Sequence, residues 1–361
     1  MRSPPRSVLV IVTRRIGDVL LATPLIRSIK QAYPDAALDV LVFEGTHGLL
    51  SANSDVRRII TVPERPGLSA NIALISRLWR RYDMAVSLVP GDRPTLYAFI
   101  AGRWRAGLLT DTRKERWKRR LLHRWVPFDN LNTHSVRMHL ALADALGIAP
   151  HADVVVTWCA EAARQVNALL GAQGMQPIAV LHTYPKFNYK MWHKRGWIDI
   201  AHWLTSRGFR IVLSGSADAV ELTYVADLAS KMPPGAINAA GKLSLAASAF
   251  LVSRAGIYVG PDTALTHVAA ALGVPTVALF GPSNPVKWGP WPKGQPGGVN
   301  PWRRCGSQRI RNVTLLQGTE SCVPCLQEGC ERNIKSFSDC LQHIPAEKVI
   351  IAIQAAMKIA D

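Results

Sequence analysis

Val259-Gly-Pro-Asp-Thr-Ala-Leu-Thr-His-Val-Ala-Ala-Ala-Leu-Gly-Val-Pro-Thr-Val-Ala-Leu-Phe-Gly-Pro-Ser283 decides how the fold is read. The stretch divides into a strand end, a Gly-Pro-Asp turn, a short helix, a Gly-Val-Pro break and a buried strand over 276–280. A helix that opens at Thr263 straight after a strand leaves its first backbone N–H groups without intrahelical partners, at the positive end of the helix dipole. Such a start is a seat for phosphate. Asp262 sets a carboxylate beside it, where it could cap the helix or accept hydrogen bonds from sugar hydroxyls. A phosphate seat with a hydroxyl reader next to it is what a nucleotide-sugar site needs.

The same alternation extends outward in both directions. Apolar runs at 8–13, 38–43, 59–62 and 84–88 read as buried strands, with helical patterns at 18–32 and 71–82 between them. Pro24 forces a bend or an early break in the first helix. The pattern restarts after residue 170, with strands at 178–182, 209–214, 257–260 and 276–280 and helices at 197–207, 220–232 and 245–253. Residues 345–360 read as a terminal amphipathic helix. Strand-helix alternation of this kind predicts parallel sheets covered on both faces, here as two Rossmann-like halves joined near 150–175. The expected domains are 1–165, 166–345 and a terminal helix at 346–361. Ligands of open parallel sheets bind beyond the C-terminal strand ends. Three segments fall at such ends: Arg14-Arg15-Ile16-Gly17-Asp18, the loop from His182 to Trp192, and Gly260 to His267.

A chain of 361 residues, 48% hydrophobic, has enough apolar side chains for two packed cores. Its net charge of +18 favours an anionic partner: nucleic acid, acidic lipid or a phosphorylated substrate. The aromatic-basic modules of nucleic-acid binders are missing, so a non-catalytic nucleic-acid-binding protein is the weaker reading and no nucleic-acid partner is expected. No apolar run is long enough to span a bilayer, and the run at 8–12 is too short for a signal peptide before Arg14 and Arg15. The expectation is a cytoplasmic protein that touches the inner face of the inner membrane. Five of the cysteines crowd the last quarter. Cys322-x-x-Cys325 has metal-ligand spacing, and Cys330 and Cys340 could complete four thiolates around structural zinc or iron; the alternative is a set of small buried side chains.

Several constellations could carry chemistry. Gly17 permits close approach of a ligand, and Asp18 at the helix start either caps the helix or deprotonates an acceptor hydroxyl. The segment is not a G-x-G-x-x-G fingerprint, which argues against a dinucleotide dehydrogenase. Lys190, in Lys190-Met-Trp192, could pair with a diphosphate, and Thr183 and Tyr184 could add hydroxyl donors. After Leu213-Ser-Gly-Ser216, Glu221 could read a ribose hydroxyl or lie on a solvated helix face. Ala240-Gly-Lys-Leu-Ser244 could form a loop against the nucleoside. The basic run Arg113-Lys-Glu-Arg-Trp-Lys-Arg-Arg-Leu-Leu-His-Arg124 carries seven Lys and Arg side chains, among them Arg116, Lys118 and Arg120. It could receive the phosphates of a lipid-linked acceptor, rest on anionic lipid, or be a solvated helix face.

Taken together, Ile16-Gly-Asp-Val-Leu-Leu-Ala-Thr-Pro24, Lys190-Met-Trp192, Ala240-Gly-Lys-Leu-Ser-Leu245, the run Gly260–Gly273 and Leu279-Phe-Gly-Pro282 resemble glycosyltransferase family 9, the ADP-heptose:lipopolysaccharide heptosyltransferases. The likeness covers nearly the whole chain. It implies the α/β GT-B fold, two Rossmann-like domains facing a central cleft, and inverting transfer of heptose from ADP-heptose to the inner core of lipopolysaccharide with no required metal. By that resemblance Asp18 is the general base and Lys190 holds the donor phosphates. Asp262 holds the donor-sugar hydroxyls, and Thr263, Ala264, Leu265, Thr266 and His267 form the phosphate-binding helix start. Family members commonly carry Gly where this chain has Ala264. Many relatives carry a Cys-containing tail, and a related autotransporter heptosyltransferase group binds iron through such cysteines. Transfer to a protein serine or to another glycan is the alternative within the enzyme class.

Overall fold

A computed structural model describes residues 3–171 and 176–357. The chain divides into two compact units. The first takes the described residues up to Thr157 together with Gly294–Asn300. The second takes Trp158–Lys293 and the described residues from Pro301 onward. These bounds differ from the expected ones in three ways. The helix Ala160–Leu170 belongs wholly to the second unit, a short return segment belongs to the first, and the terminal helix Ala346–Met357 is part of the second core rather than a separate element. The expected end of that helix, residues 358–360, and residues 172–175 of the expected junction lie outside the described residues.

The first unit is built on a six-stranded parallel sheet. Its strands are β1 (Ser7–Val12), β2 (Ala37–Phe43), β3 (Arg58–Val62), β4 (Tyr82–Ser87), β5 (Gly102–Leu109) and β6 (Arg124–Pro127), in the order β3-β2-β1-β4-β5-β6. In β1 the alternation of a strand splits one apolar run between two cores. Val8, Val10 and Val12 join the helices Ile16–Leu21, Thr23–Ala32 and Ser135–Leu146 on one face. Leu9 and Ile11 join the helices Leu68–Leu78 and Asp92–Ala101 on the other. The break expected at Pro24 is present: one helix ends at Leu21, and Pro24 lies in the first turn of the next, where its missing N–H costs nothing. The expected helix over 71–82 runs instead over Leu68–Leu78, and Tyr82 opens β4.

The second unit holds a seven-stranded sheet in the order β12-β13-β11-β10-β7-β8-β9. The strands are β7 (Ile178–His182), β8 (Arg210–Ser214), β9 (Ile237–Asn238), β10 (Ala255–Pro261), β11 (Thr276–Phe280), β12 (Gln308–Ile310) and β13 (Val313–Gln317). All neighbours are parallel except β12 and β13. Gly273 ends the helix Ala264–Leu272 in the left-handed region at φ 83°, a conformation a side chain would strain, and Pro275 blocks any continuation. The strand order reverses between β1 and β4 in the first unit and between β7 and β10 in the second. Such reversals open a crevice at the C-terminal strand ends, which is where Asp18 follows β1 and where Thr183 and Asp262 follow β7 and β10.

Candidate active site

In the second unit Asp262 follows β10 directly, and the helix Ala264–Leu272 starts two residues on. Asp262 does not cap that helix. The N-cap is Thr263, and its side chain makes no capping hydrogen bond. Its hydroxyl instead lies 3.2 Å from the Thr266 hydroxyl, which donates to the Pro261 carbonyl at 2.5 Å and meets the Tyr258 hydroxyl at 3.0 Å. The hydroxyls thus fix the strand-to-helix turn, and the Thr263 side chain leaves the amides of the helix start uncapped. Ala264 is the first helical residue, half-buried, so its methyl group requires no unusual backbone there.

Lys190 reaches this turn from the loop after β7. Its Nζ lies 2.6 Å from Asp262 Oδ2 and donates to the Asp262 carbonyl at 3.3 Å. His267 Nε2 lies 3.9 Å from Asp262 Oδ1. Burial pushes the Asp262 carboxyl up, but Lys190, His267 and a hydrogen bond from Ser283 outweigh it and hold the pKa below the usual carboxylate value. Burial drives the His267 imidazole down to about 4, so the ring is neutral at pH 7. Its Nδ1 is buried with no partner among the described residues, as is the hydroxyl of Thr183. Such orphaned polar atoms, one just after β7 and one in the first turn of the helix after β10, are unusual in a finished core and fit a surface that a ligand completes. Trp192 supports the loop from below, fully buried, edge-on to Trp197, its Nε1 donating to the Ile344 carbonyl at 2.8 Å.

A second cluster lies at the end of β8. The Ser216 hydroxyl donates to Glu221, which is buried and whose carboxyl burial pushes above its ordinary value. Asp218, not Glu221, caps the helix Ala219–Ala229. Gly215 passes so close that an added Cβ would lie 2.8 Å from Glu221 Oε1 and 2.9 Å from the Ala240 side chain. Glu221 is therefore not on a solvated face. The loop containing Ala240 is tied to this turn by Gly241 N–H, which donates to the Gly215 carbonyl at 3.2 Å. Tyr184 packs on Tyr224 with ring centroids 5.0 Å apart, and Lys194 lies 4.7 Å over the Tyr224 ring. Tyr224, whose buried hydroxyl has no partner among the described residues, was not legible in the sequence. Its only signal there is a tyrosine six residues after Asp218 on a mostly apolar helix.

In the first unit Asp18 is the third residue of the helix Ile16–Leu21, half-buried in its first turn. Arg15 is the N-cap, so Asp18 does not serve as one, and Gly17 is helical rather than part of a turn. The basic run forms a 3₁₀ segment, Arg113–Leu121. Arg116 and Arg120 are exposed. Lys118 departs from the expectation: it is fully buried, with Nζ 2.6 Å from Asp92 and 2.9 Å from Glu115. Two carboxylates already hold its charge, which removes it as an acceptor reader.

The cysteines do not assemble the expected metal centre. Among the described residues no three His, Cys, Asp or Glu side chains are placed to hold an ion. Cys340 is buried, and burial, then the neighbouring Cys325, Cys322 and Cys330, push its thiol up to about 12. Cys330 Sγ accepts from the Asp339 N–H at 3.4 Å. Among the described residues the thiols share a neighbourhood without converging, and Cys330 and Cys340 are both held towards the neutral thiol, so this donor set does not fit a bound ion.

Against known proteins, the sequence model of glycosyltransferase family 9 (heptosyltransferase) matches residues 72–315. The lipopolysaccharide heptosyltransferase 3 of Escherichia coli (strain K12) is 27% identical over 286 residues, covering 76% of this chain and 82% of that protein. A glycosyl transferase family 9 structure from Veillonella parvula DSM 2008 superposes with a TM-score of 0.78 at 20% identity, covering 98% of this chain and 97% of that one. The E. coli heptosyltransferase WaaC, solved with ADP, superposes with a TM-score of 0.72 at 21% identity, covering 97% and 99%. The shared fold is GT-B.

Proposed function

The chain belongs to glycosyltransferase family 9, the heptosyltransferases, and on that footing we propose that it transfers heptose from ADP-heptose to the inner core of lipopolysaccharide, at the cytoplasmic face of the inner membrane. The relatives' names and the ADP held by WaaC support the donor and acceptor classes. The observation that carries the reading is the turn after β10, where a helix start free of side-chain caps lies next to the Lys190–Asp262 pair. The helix amides and the Lys190 ammonium receive the diphosphate, Asp262 the sugar hydroxyls, and Glu221 with the turn after β8 the ribose.

Asp18 acts as the general base. The acceptor oxygen forms a bond to the anomeric carbon as the bond from that carbon to the β-phosphate oxygen breaks. ADP leaves with the electron pair, the acceptor proton passes to the Asp18 carboxylate, and the anomeric configuration inverts. Charge that grows on the diphosphate is met by Lys190 and by the helix start.

Purified protein incubated with ADP-heptose and a heptose-deficient lipopolysaccharide core should release ADP and add one heptose to the acceptor mass. Asp18→Asn should lower turnover on the order of 10²–10⁴-fold while donor binding stays near wild type. Wild-type turnover in that variant would reject Asp18 as the base, and no mass gain with the wild-type enzyme would reject the acceptor.

A further inference from the structure

One face of the first unit's sheet is covered by two helices, Leu68–Leu78 and Asp92–Ala101, and their outer surfaces carry an unusual load. The first helix buries Leu74 and Leu78 against the sheet. A second apolar stripe runs beside that face: Leu68 is 83% exposed, Ile72 66% and Trp79, at the helix C-cap, 60%, with half-buried Ile75 between them. The spacing i, i+4, i+7, i+11 sets all four on one line along the helix. Nothing in the core requires them there. Exposed apolar side chains also stand on the elements packed next in line, Leu96 at 40% on the second helix and Trp117 at 47% on the 3₁₀ segment beside it.

The charge around the stripe is predominantly positive, with the exposed Glu64 beside Arg65 as the acidic exception. The helix itself contains no Asp or Glu. Arg65 precedes it, Arg77 lies in its last turn, and Arg80 and Arg81 follow Trp79; all four are exposed. Three acidic side chains pair with cations of the 3₁₀ segment, Asp92 and Glu115 sharing Lys118 and Asp111 taking Arg119, which leaves one carboxylate charge in excess against four further exposed cations. The exposed Arg113, Lys114, Arg116 and Arg120 therefore add to the same positive field.

We propose that the Leu68–Ile72–Trp79 stripe and its flanking arginines dock this unit onto an anionic phospholipid bilayer, with the helix lying in the plane of the headgroups. At about 1.5 Å per residue the helix reaches only about 16 Å, half the thickness of a bilayer's hydrocarbon core, so it lies on the surface and does not cross. A bilayer is the partner that accepts apolar side chains and arginines across one plane: the stripe enters the acyl boundary, Trp79 sits at headgroup depth, and the guanidinium groups meet lipid phosphates. A protein partner would need an acidic rim around an apolar stripe of the same length. The docking is independent of heptosyl transfer, since it requires no donor sugar.

The test is co-sedimentation of the full chain with vesicles of phosphatidylglycerol and phosphatidylcholine, and with phosphatidylcholine alone. Wild-type protein should pellet with the mixed vesicles and stay in solution with the neutral ones. The double substitution Ile72→Ser with Trp79→Ser should lower partitioning on the order of tenfold or more at unchanged net charge. Its thermal midpoint should stay near wild type, because both side chains are exposed. Arg77→Gln with Arg80→Gln should weaken binding and flatten its salt dependence. Partitioning unaffected by the Ile72 and Trp79 substitutions would overturn the proposal, leaving only diffuse charge attraction. It would also fall if light scattering showed a dimer that those substitutions dissolve, for the stripe would then be a contact between copies of the chain.

Discussion

Lys190 and Asp262 lie 72 positions apart in sequence and 2.6 Å apart in the fold, with side chains only 18% and 8% exposed. Neither can be removed without leaving the other charge in a poorly solvated place, a loss of about 3–5 kcal/mol for a buried pair. Lys190→Met and Asp262→Asn should each lower the thermal midpoint, and the double variant should lose less than the sum of the two, a coupling that thermal denaturation of the four proteins measures directly. The two side chains should still separate in ligand binding. Lys190→Met should weaken ADP itself, whereas Asp262→Asn should mainly erase the difference between ADP and ADP-heptose. Calorimetry that found equal losses on both ligands for both variants would reject this division of roles.

Lys118 makes the corresponding point for the 3₁₀ segment Arg113–Leu121. Six cations crowd this run, yet the fold takes one of them inside, between Asp92 of the helix Asp92–Ala101 and Glu115 of its own turn. Lys118→Met should cost on the order of 2 kcal/mol, less than a wholly buried pair because Asp92 remains largely exposed, and chemical denaturation would read the loss. Arg116→Gln with Arg120→Gln should leave stability unchanged and raise the acceptor KM at low salt. Unchanged acceptor kinetics would return these two arginines to a plain solvated surface. At the helix Leu245–Ser253, Ser244 Oγ accepts from the Ala247 N–H at 3.1 Å, so Ser244→Ala should remove about 1 kcal/mol by the same measurement.

The response of the whole molecule to acid follows from two buried imidazoles. Burial holds both His182 and His267 down to about 4, against 6.5 for a free imidazole. Between those values the unfolded chain binds more protons than the folded one. Stability is therefore fully present above about pH 6.5 and is lost as the pH falls towards 4. At pH 5 each histidine accounts for about 2 kcal/mol of that loss. Urea midpoints at pH 7.5 and pH 5 should differ accordingly, and His182→Asn should narrow the difference. A midpoint independent of pH across this window would mean that neither ring is held neutral by the fold.

The apolar strands β1, β10 and β11, the largely apolar β2 with Asp39 inside it, the Pro24 break and the Gly273 stop are all open to reading from the chain alone. They are consequences of backbone geometry within a few residues: period, capping and the φ limits of Gly and Pro. The position of Asp262, Thr263 and the helix start they announce is local in the same sense. The partners of those residues are not. That Lys190 closes on Asp262, that Tyr224 lies under Tyr184, that Lys118 turns inward and that Gly294–Asn300 returns to the first unit depend on which segments meet across long separations. β5 and β6 are not legible in the chain for a related reason: Gly102-Arg-Trp-Arg-Ala-Gly and Arg124-Trp-Val-Pro carry charge and glycine into strands towards one edge of the sheet, where pairing with a neighbour, not an apolar period, makes the strand. Burial and charge pairing are properties of the assembled core, and a one-dimensional pattern holds the residues but not the company they keep.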